Sequence, residues 1–237
     1  MLEKIHTKRR ASAPPAVADF VKCRFPLFKR QSNNAKEMFK DIKVQTVTGE
    51  TMLLSDLWKE RPVVLKVLAR LGCAMCKQEA LTLREMKPLL DKHNVAIAAV
   101  AFEDLDLKNF LTGGYWGWDI LLDPERKVYE AAGLWRMTPM QFMRDIFSGR
   151  LFKIMSVLLW RGIMNPVRGD PRQLGGTFVI NTDGSIAYSF KASRLAMFPS
   201  AKEIYATIGG DPDEVEEDVP TSYIYSQLKA SSAMAKI

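Results

Sequence analysis

The sequence predicts an α/β fold: a central mixed sheet flanked by helices, with a helical insertion and N- and C-terminal extensions. Three observations predict it. Residues 63–68 form a Val-rich apolar run broken only by Lys66, the pattern of a strand buried on both faces. Directly after it, Cys76, Ala80, Leu83, Met86 and Leu90 recur at helical spacing. Near the end, two strand-like runs at 177–181 and 185–191 flank Thr182-Asp183-Gly184, the clearest hairpin signal in the chain.

The remaining elements follow in order. Residues 1–40 read as a basic extension with a small-residue, proline-bearing linker at Ala11-Ser12-Ala13-Pro14-Pro15-Ala16. A domain covering 41–210 follows, and 211–237 reads as an acidic linker and tail. The domain opens with a strand at 43–47, a turn at Thr48-Gly49-Glu50 and a short helix at 56–59 capped by Ser55. The helix that begins at Cys73 is kinked or ended early by Pro88. A buried strand at 95–101 leads to a helix at 105–111, stopped by Gly113-Gly114. A short strand at 120–122 precedes a helix at 124–132 with Pro124 in its first turn and Gly133 beyond its end. The insertion, 139–168, is basic and apolar and predicts one or two helices. A last helix at 199–208 ends at Gly209-Gly210. Buried parallel strands followed by a terminal hairpin match a thioredoxin-like arrangement, whose active site lies at a strand's carboxyl end beside a helix N-terminus. Cys73 falls there.

Composition narrows the function. The 237 residues are 47% apolar and 26% charged, ordinary for a globular protein. No stretch approaches the roughly 18 apolar residues of a membrane span. The charged start lacks an apolar signal core, so an intracellular protein is expected, cytoplasmic or organellar (chloroplast or mitochondrion), not secreted. Three cysteines do not make a disulfide framework; two of them form Cys73-x-x-Cys76, and Cys23 reads as a half-buried apolar residue. The net charge of +7 gathers before residue 45 and between Arg136 and Arg172, with acid concentrated in 211–218. No basic face interleaved with exposed aromatics is evident, so no nucleic-acid partner is expected.

The Cys-x-x-Cys pair admits three readings: a zinc site, an inert buried pair, or a redox dithiol. Zinc needs two further ligands, and Cys23, His6 and His93 stand at unsuitable spacings. A strand just before the pair and a helix just after it favour the dithiol, because helix N-terminal N–H groups and the dipole stabilise a thiolate. Cys73 is then the nucleophile and Cys76, one turn inward, the resolving thiol. Arg70 is the first candidate to stabilise a leaving alkoxide or hydroxide, and Arg194, otherwise a surface residue, the second. Lys77 reads as solvated surface. The cluster Gly113-Gly114-Tyr115-Trp116-Gly117-Trp118 reads as a tight turn with aromatics folded onto the core. The insertion around Phe147, Phe152, Leu158, Leu159 and Trp160 reads as core-covering helices, with contact to a membrane surface or a protein partner as the alternative.

Several segments together resemble the peroxiredoxin-like 2 family, which includes selenoprotein U and the prostamide/prostaglandin F synthases within the AhpC/TSA group. They are Arg70-Leu71-Gly72-Cys73-Ala74-Met75-Cys76, Phe110-Leu111-Thr112-Gly113-Gly114-Tyr115, Leu121-Leu122-Asp123-Pro124-Glu125 with Tyr129, and Gly175-Gly176-Thr177-Phe178-Val179. Gly169-Asp170-Pro171-Arg172-Gln173-Leu174 is similar to the family's AAED branch. The resemblance implies a thioredoxin fold with a redox-active Cys73–Cys76 pair and no bound cofactor. Reducing equivalents would come from a thioredoxin- or glutathione-type donor protein, and the substrate would be a small peroxide, an endoperoxide or a disulfide. The alternative is a non-catalytic thioredoxin-fold subunit of a larger, membrane-associated assembly. Lys66 and Arg70 stand where peroxiredoxins carry the Pro and Thr/Ser of Pro-x-x-x-Thr/Ser-x-x-Cys, and no proline precedes the strand at Gly176.

Overall fold

A computed structural model describes residues 33–160, 162–163 and 169–215. Cys23, most of the N-terminal extension, Arg161 and the tail beyond Val215 lie outside the described residues. Among the described residues the sheet has seven strands: β1 (Lys43–Thr46), β2 (Thr51–Leu53), β3 (Val63–Val67), β4 (Ala96–Ala101), β5 (Ile120–Leu122), β6 (Gly176–Ile180) and β7 (Ile186–Lys191). Their order across the sheet is β2-β1-β5-β4-β3-β6-β7. β3, β4 and β5 run parallel, while β6 lies antiparallel to β3 and pairs with β7 as a hairpin.

β3 is central and wholly buried. Val63, Leu65 and Val67 face one core with Phe39, Trp58, Val100 and Phe178. Val64 faces the other, packed with Leu83, Leu90, Phe110 and Ile204. Period-two alternation places Lys66 on the Val64 side, among apolar neighbours. Helices α2 (Ala74–Glu85), α3 (Lys87–Lys92), α4 (Leu107–Thr112) and α8 (Ala201–Thr207) contribute residues to that second core. α1 (Ala35–Met38), α5 (Lys127–Ala131), α6 (Pro139–Ile146) and α7 (Gly149–Trp160) are the other α-helices among the described residues. α1 is tied to the hairpin by Ala35 N–H donating to Gly184 O at 2.7 Å, and it buries Ala35 and Phe39.

Three local expectations change, and a fourth holds. The sequence reading gave no strand at Thr51–Leu53, because three residues are too short to show alternation. The short helix begins at Leu54 as a 3-10 turn with Ser55 inside it; Asp56, not Ser55, accepts from the Leu53 N–H, at 3.3 Å. Pro124 lies in a turn before α5, and Asp123 instead receives the N–H groups of Lys127 and Val128 at 3.0 and 2.8 Å. The long helix breaks at Met86, just before Pro88, as that proline leads one to expect. Pro88 has no N–H to donate and sits in the first turn of α3.

Candidate active site

β3 hands the chain to residues 68–72, which are held in place from below. Leu68 N–H donates to Val100 O at 2.8 Å, and the buried Tyr129 hydroxyl donates to Leu68 O at 2.5 Å. Gly175 closes the loop from the other side. A Cβ there would collide with Val67 O and come within 2.9 Å of Ala69 N, so only glycine allows the two backbones to approach. Cys73 then takes an extended conformation (φ −86°, ψ 127°) as the N-cap of α2, and Cys76 follows in the first turn. Both thiols are free and buried.

The two thiols are strongly unlike. A hydrogen bond from the Cys76 thiol is the largest influence lowering Cys73, followed by Arg70 and the N–H groups of Cys76 and Met75. Together they outweigh burial and bring Cys73 from 9.0 to about 5. Cys76 is pushed well above 9.0 by the same hydrogen bond, by burial and by the charges of Cys73 and Glu79. At neutral pH the arrangement is therefore one thiolate and one thiol.

Under the pair lies a buried ion pair that sequence reasoning missed. Lys66 Nζ donates to Glu79 Oε1 at 2.7 Å and to Thr177 Oγ1 at 3.4 Å. Burial raises the Glu79 pKa, and Lys66 opposes it. A lysine inside an otherwise apolar buried strand was the available signal, since a buried ammonium demands an acid. Glu79 stands three residues beyond Cys76, on the same helix face.

Lys66, Arg70, Cys73, Cys76, Glu79 and Gly175 line a cavity of ≈ 40 Å³. That is room for about three waters, so a large substrate presents only its reacting end unless the walls move. Arg70 is itself buried, and its Nη1 has no hydrogen-bond partner among the described residues. A guanidinium donor is thus uncommitted beside the thiolate. Arg194, the second sequence candidate, is exposed at the rim, in a segment running from Ala192 to Phe198 that forms the cavity's outer wall. That wall is fastened by Asp145 of α6, whose Oδ2 accepts from Leu195 N–H at 3.0 Å, and it carries Ala196 at φ +55°. On the inner side, Asp170 anchors the preceding loop through Arg136 at 2.8 Å and Arg126 at 3.2 Å.

The structure corrects the reading of Lys77. It is 1% exposed, pairs with Asp106 at 3.1 Å and lies 5.0 Å from the centre of the Tyr115 ring. The aromatic cluster folds inward as expected: Trp116 is buried and meets Trp118 edge-on. His93 stacks edge-on against Tyr205.

Comparison with known proteins gives the family and the fold. A sequence model of the AhpC/TSA antioxidant enzymes matches residues 82–194, a span that begins after the cysteine pair. The prostamide/prostaglandin F synthase of Sus scrofa is 33% identical over 138 residues, covering 58% of this chain and 68% of the relative. The chain belongs to the peroxiredoxin-like 2 family. The Danio rerio prostamide/prostaglandin F synthase is 28% identical over 184 residues, covering 74% of this chain and 92% of the relative. Among solved structures, PrxQ of Xylella fastidiosa aligns with a TM-score of 0.54 at 13% identity, over 78% of this chain and 98% of that one. Peroxidoxin BcpB of Mycobacterium tuberculosis aligns with a TM-score of 0.51 at 17% identity, over 71% of this chain and 91% of that one. At those identities the likeness establishes the thioredoxin-type fold that this peroxiredoxin-like 2 protein shares with the peroxiredoxins. Among the described residues no helix is long and apolar enough to cross a membrane.

Proposed function

We propose that the chain is a dithiol oxidoreductase that reduces an O–O bond, in a hydroperoxide or endoperoxide, or an S–S bond. The observation that carries this reading is the Cys73 thiol lowered to about 5 beside a thiol raised well above 9.0, in one cavity with an uncommitted Arg70 donor. The names of the relatives favour the endoperoxide among these substrates.

With a hydroperoxide, the Cys73 thiolate attacks the terminal oxygen. The S–O bond forms, the O–O bond breaks, and the departing alkoxide receives hydrogen bonds from Arg70 until it is protonated. Cys76 then loses its proton, its sulfur displaces hydroxide from the Cys73 sulfenic acid, and Cys73–Cys76 forms with release of water. With an endoperoxide, attack leaves Cys73 bonded to one oxygen, and Cys76 displaces that oxygen as the second hydroxyl. In each case two electrons pass from the dithiol to the substrate. Glu79 is the group that accepts the Cys76 proton. It lies one turn further along α2, and burial has raised its basicity while Lys66 holds the carboxylate charged before transfer. A thioredoxin- or glutathione-type dithiol or thiol donor restores the pair by exchange.

One observation favours a second reading, a thioredoxin fold serving as a binding subunit: Cys73 is only 5% exposed. A single experiment separates the two. The wild type, Cys73→Ser and Cys76→Ser proteins are treated with hydrogen peroxide or an organic hydroperoxide, and the products are read by mass spectrometry. A Cys73–Cys76 bond in the wild type, with a trapped sulfenic acid on Cys73 in Cys76→Ser, supports catalysis. An unmodified dithiol in the folded wild type overturns it in favour of the binding subunit.

A further inference from the structure

α6 and α7 expose more large apolar surface than any other described segment. On α6 the outward stripe is Met140, Met143, Arg144 and, at the C-cap, Phe147, spaced i, i+3, i+4, i+7. On α7 it is Phe152, Ser156 and Leu159, flanked by Lys153 and Trp160. Phe147, Phe152 and Trp160 are 79%, 77% and 87% exposed. Scattered apolar residues on a surface are ordinary, but three aromatics and two methionines along a helix pair are not.

The exposed charge on the described side chains of the two helices has one sign: Arg144 and Lys153 are basic, and the one acid in either helix is Asp145. Asp145 is buried and turned inward to Leu195 N–H. Arg144 and Lys153 are exposed within the apolar stripes. Aromatic and aliphatic side chains interspersed with cations, with no exposed acid on either helix, are the composition of a helix lying in the headgroup region of an anionic bilayer. An acidic protein partner would match the cations equally well, yet it would leave Phe147, Phe152 and Trp160 without a defined socket.

We propose that α6 and α7 form a docking face for anionic lipid bilayers, lying on the surface without crossing it. This goes beyond the redox reading and does not depend on it. The opposite side of α7, through Ile154 and Leu158, packs on Ala74, Ala196 and Phe198, which puts the docked helix directly over the wall of the dithiol cavity.

The test is sedimentation of the full chain with phosphatidylcholine vesicles, with and without phosphatidylglycerol, at two salt concentrations. Because residues 1–32 are also basic, binding by the wild type is compared with two variants whose changes are exposed and leave the fold intact by circular dichroism. Arg144→Gln/Lys153→Gln should partition about thirtyfold more weakly onto anionic vesicles, from about 1 kcal/mol per cation. Phe152→Ser/Trp160→Ser should lose binding at high salt, where the apolar contribution remains. Equal partitioning of both variants and the wild type overturns the proposal, as does wild-type binding that is indifferent to phosphatidylglycerol. A dimer in lipid-free solution that either variant dissociates overturns it in favour of a second copy of the chain.

Discussion

Cys76 donates its thiol hydrogen to Cys73, and no other contact does as much to lower the Cys73 pKa. The consequence for the partner is opposite in sign, since the same hydrogen bond pushes Cys76 well above 9.0, and in the proposed reaction Cys76 must surrender that hydrogen before it attacks. Division of labour between two identical side chains therefore comes from their order along α2: the one at the helix cap holds charge, and the one a turn inward holds the proton.

A first prediction concerns pH. Alkylation of Cys73 by iodoacetamide should be half-maximal near the value of about 5, and Cys76→Ala should move that midpoint upward. Stability follows with a definite sign. The folded pKa lies below the unfolded one, so the unfolded chain binds the extra proton between about 5 and 9.0. The Cys73 contribution is fully present above 9.0 and is lost as pH falls through about 5. Urea denaturation should show the gap between wild type and Cys73→Ser widening from pH 5.5 to pH 8. A gap that is constant with pH would mean that the thiolate is not held by the fold.

Arg70 supplies a second prediction. Its uncommitted Nη1 is the donor assigned to the leaving oxygen, and loss of one such donor typically costs about 10²–10³ in rate. Arg70→Lys should lower the single-turnover rate of Cys73 oxidation by that order while the Cys73–Cys76 bond still forms at the end point. A rate within about twofold of wild type would remove Arg70 from the chemistry.

The buried pair supplies a third. Glu79→Leu strands the Lys66 ammonium and should cost about 3–5 kcal/mol. Lys66→Met/Glu79→Leu should recover most of that stability, because apolar side chains replace the pair. The double variant should nevertheless close the disulfide slowly, with the pH profile of closure shifted toward the high pKa of Cys76. Chemical denaturation reads the first effect, and stopped-flow thiol loss after Cys73 oxidation reads the second. Wild-type closure kinetics in the double variant would leave Glu79 a structural role only.

A fourth concerns Gly175. Gly175→Ala drives a methyl group against Val67 O and Ala69 N, backbone atoms that cannot swing aside. A loss of about 1–3 kcal/mol is expected, together with faster alkylation of Cys73 as the cavity wall separates. Thermal melting and the alkylation rate at fixed pH measure the two together.

Much of the sheet was legible because its strands carry strong local signals. Residues 63–68, 95–101 and the hairpin each show either a continuous apolar run or a turn of fixed chemistry. The cysteine pair was legible because it follows one such strand directly. What escaped depends on partners distant in sequence. Lys66 read as an interruption until Glu79 was beside it, and Lys77 read as surface until Asp106 and Tyr115 enclosed it. Asp145 gave no sign of its role, since its partner Leu195 is fifty residues away. β2 was missed for want of length.

Lys66 also bears on how the chain reaches its native state. It sits mid-strand in β3, with β4 on one side and β6 on the other. Until α2 docks and brings Glu79, that ammonium keeps its water, and the middle of the sheet cannot dry around it. Strand pairing at the centre and seating of the helix that carries both cysteines are therefore one cooperative event. A chain stalled before it would leave β3 and its neighbours open to pairing with other chains. Burial of the cysteine pair and escape from aggregation then arrive in the same step.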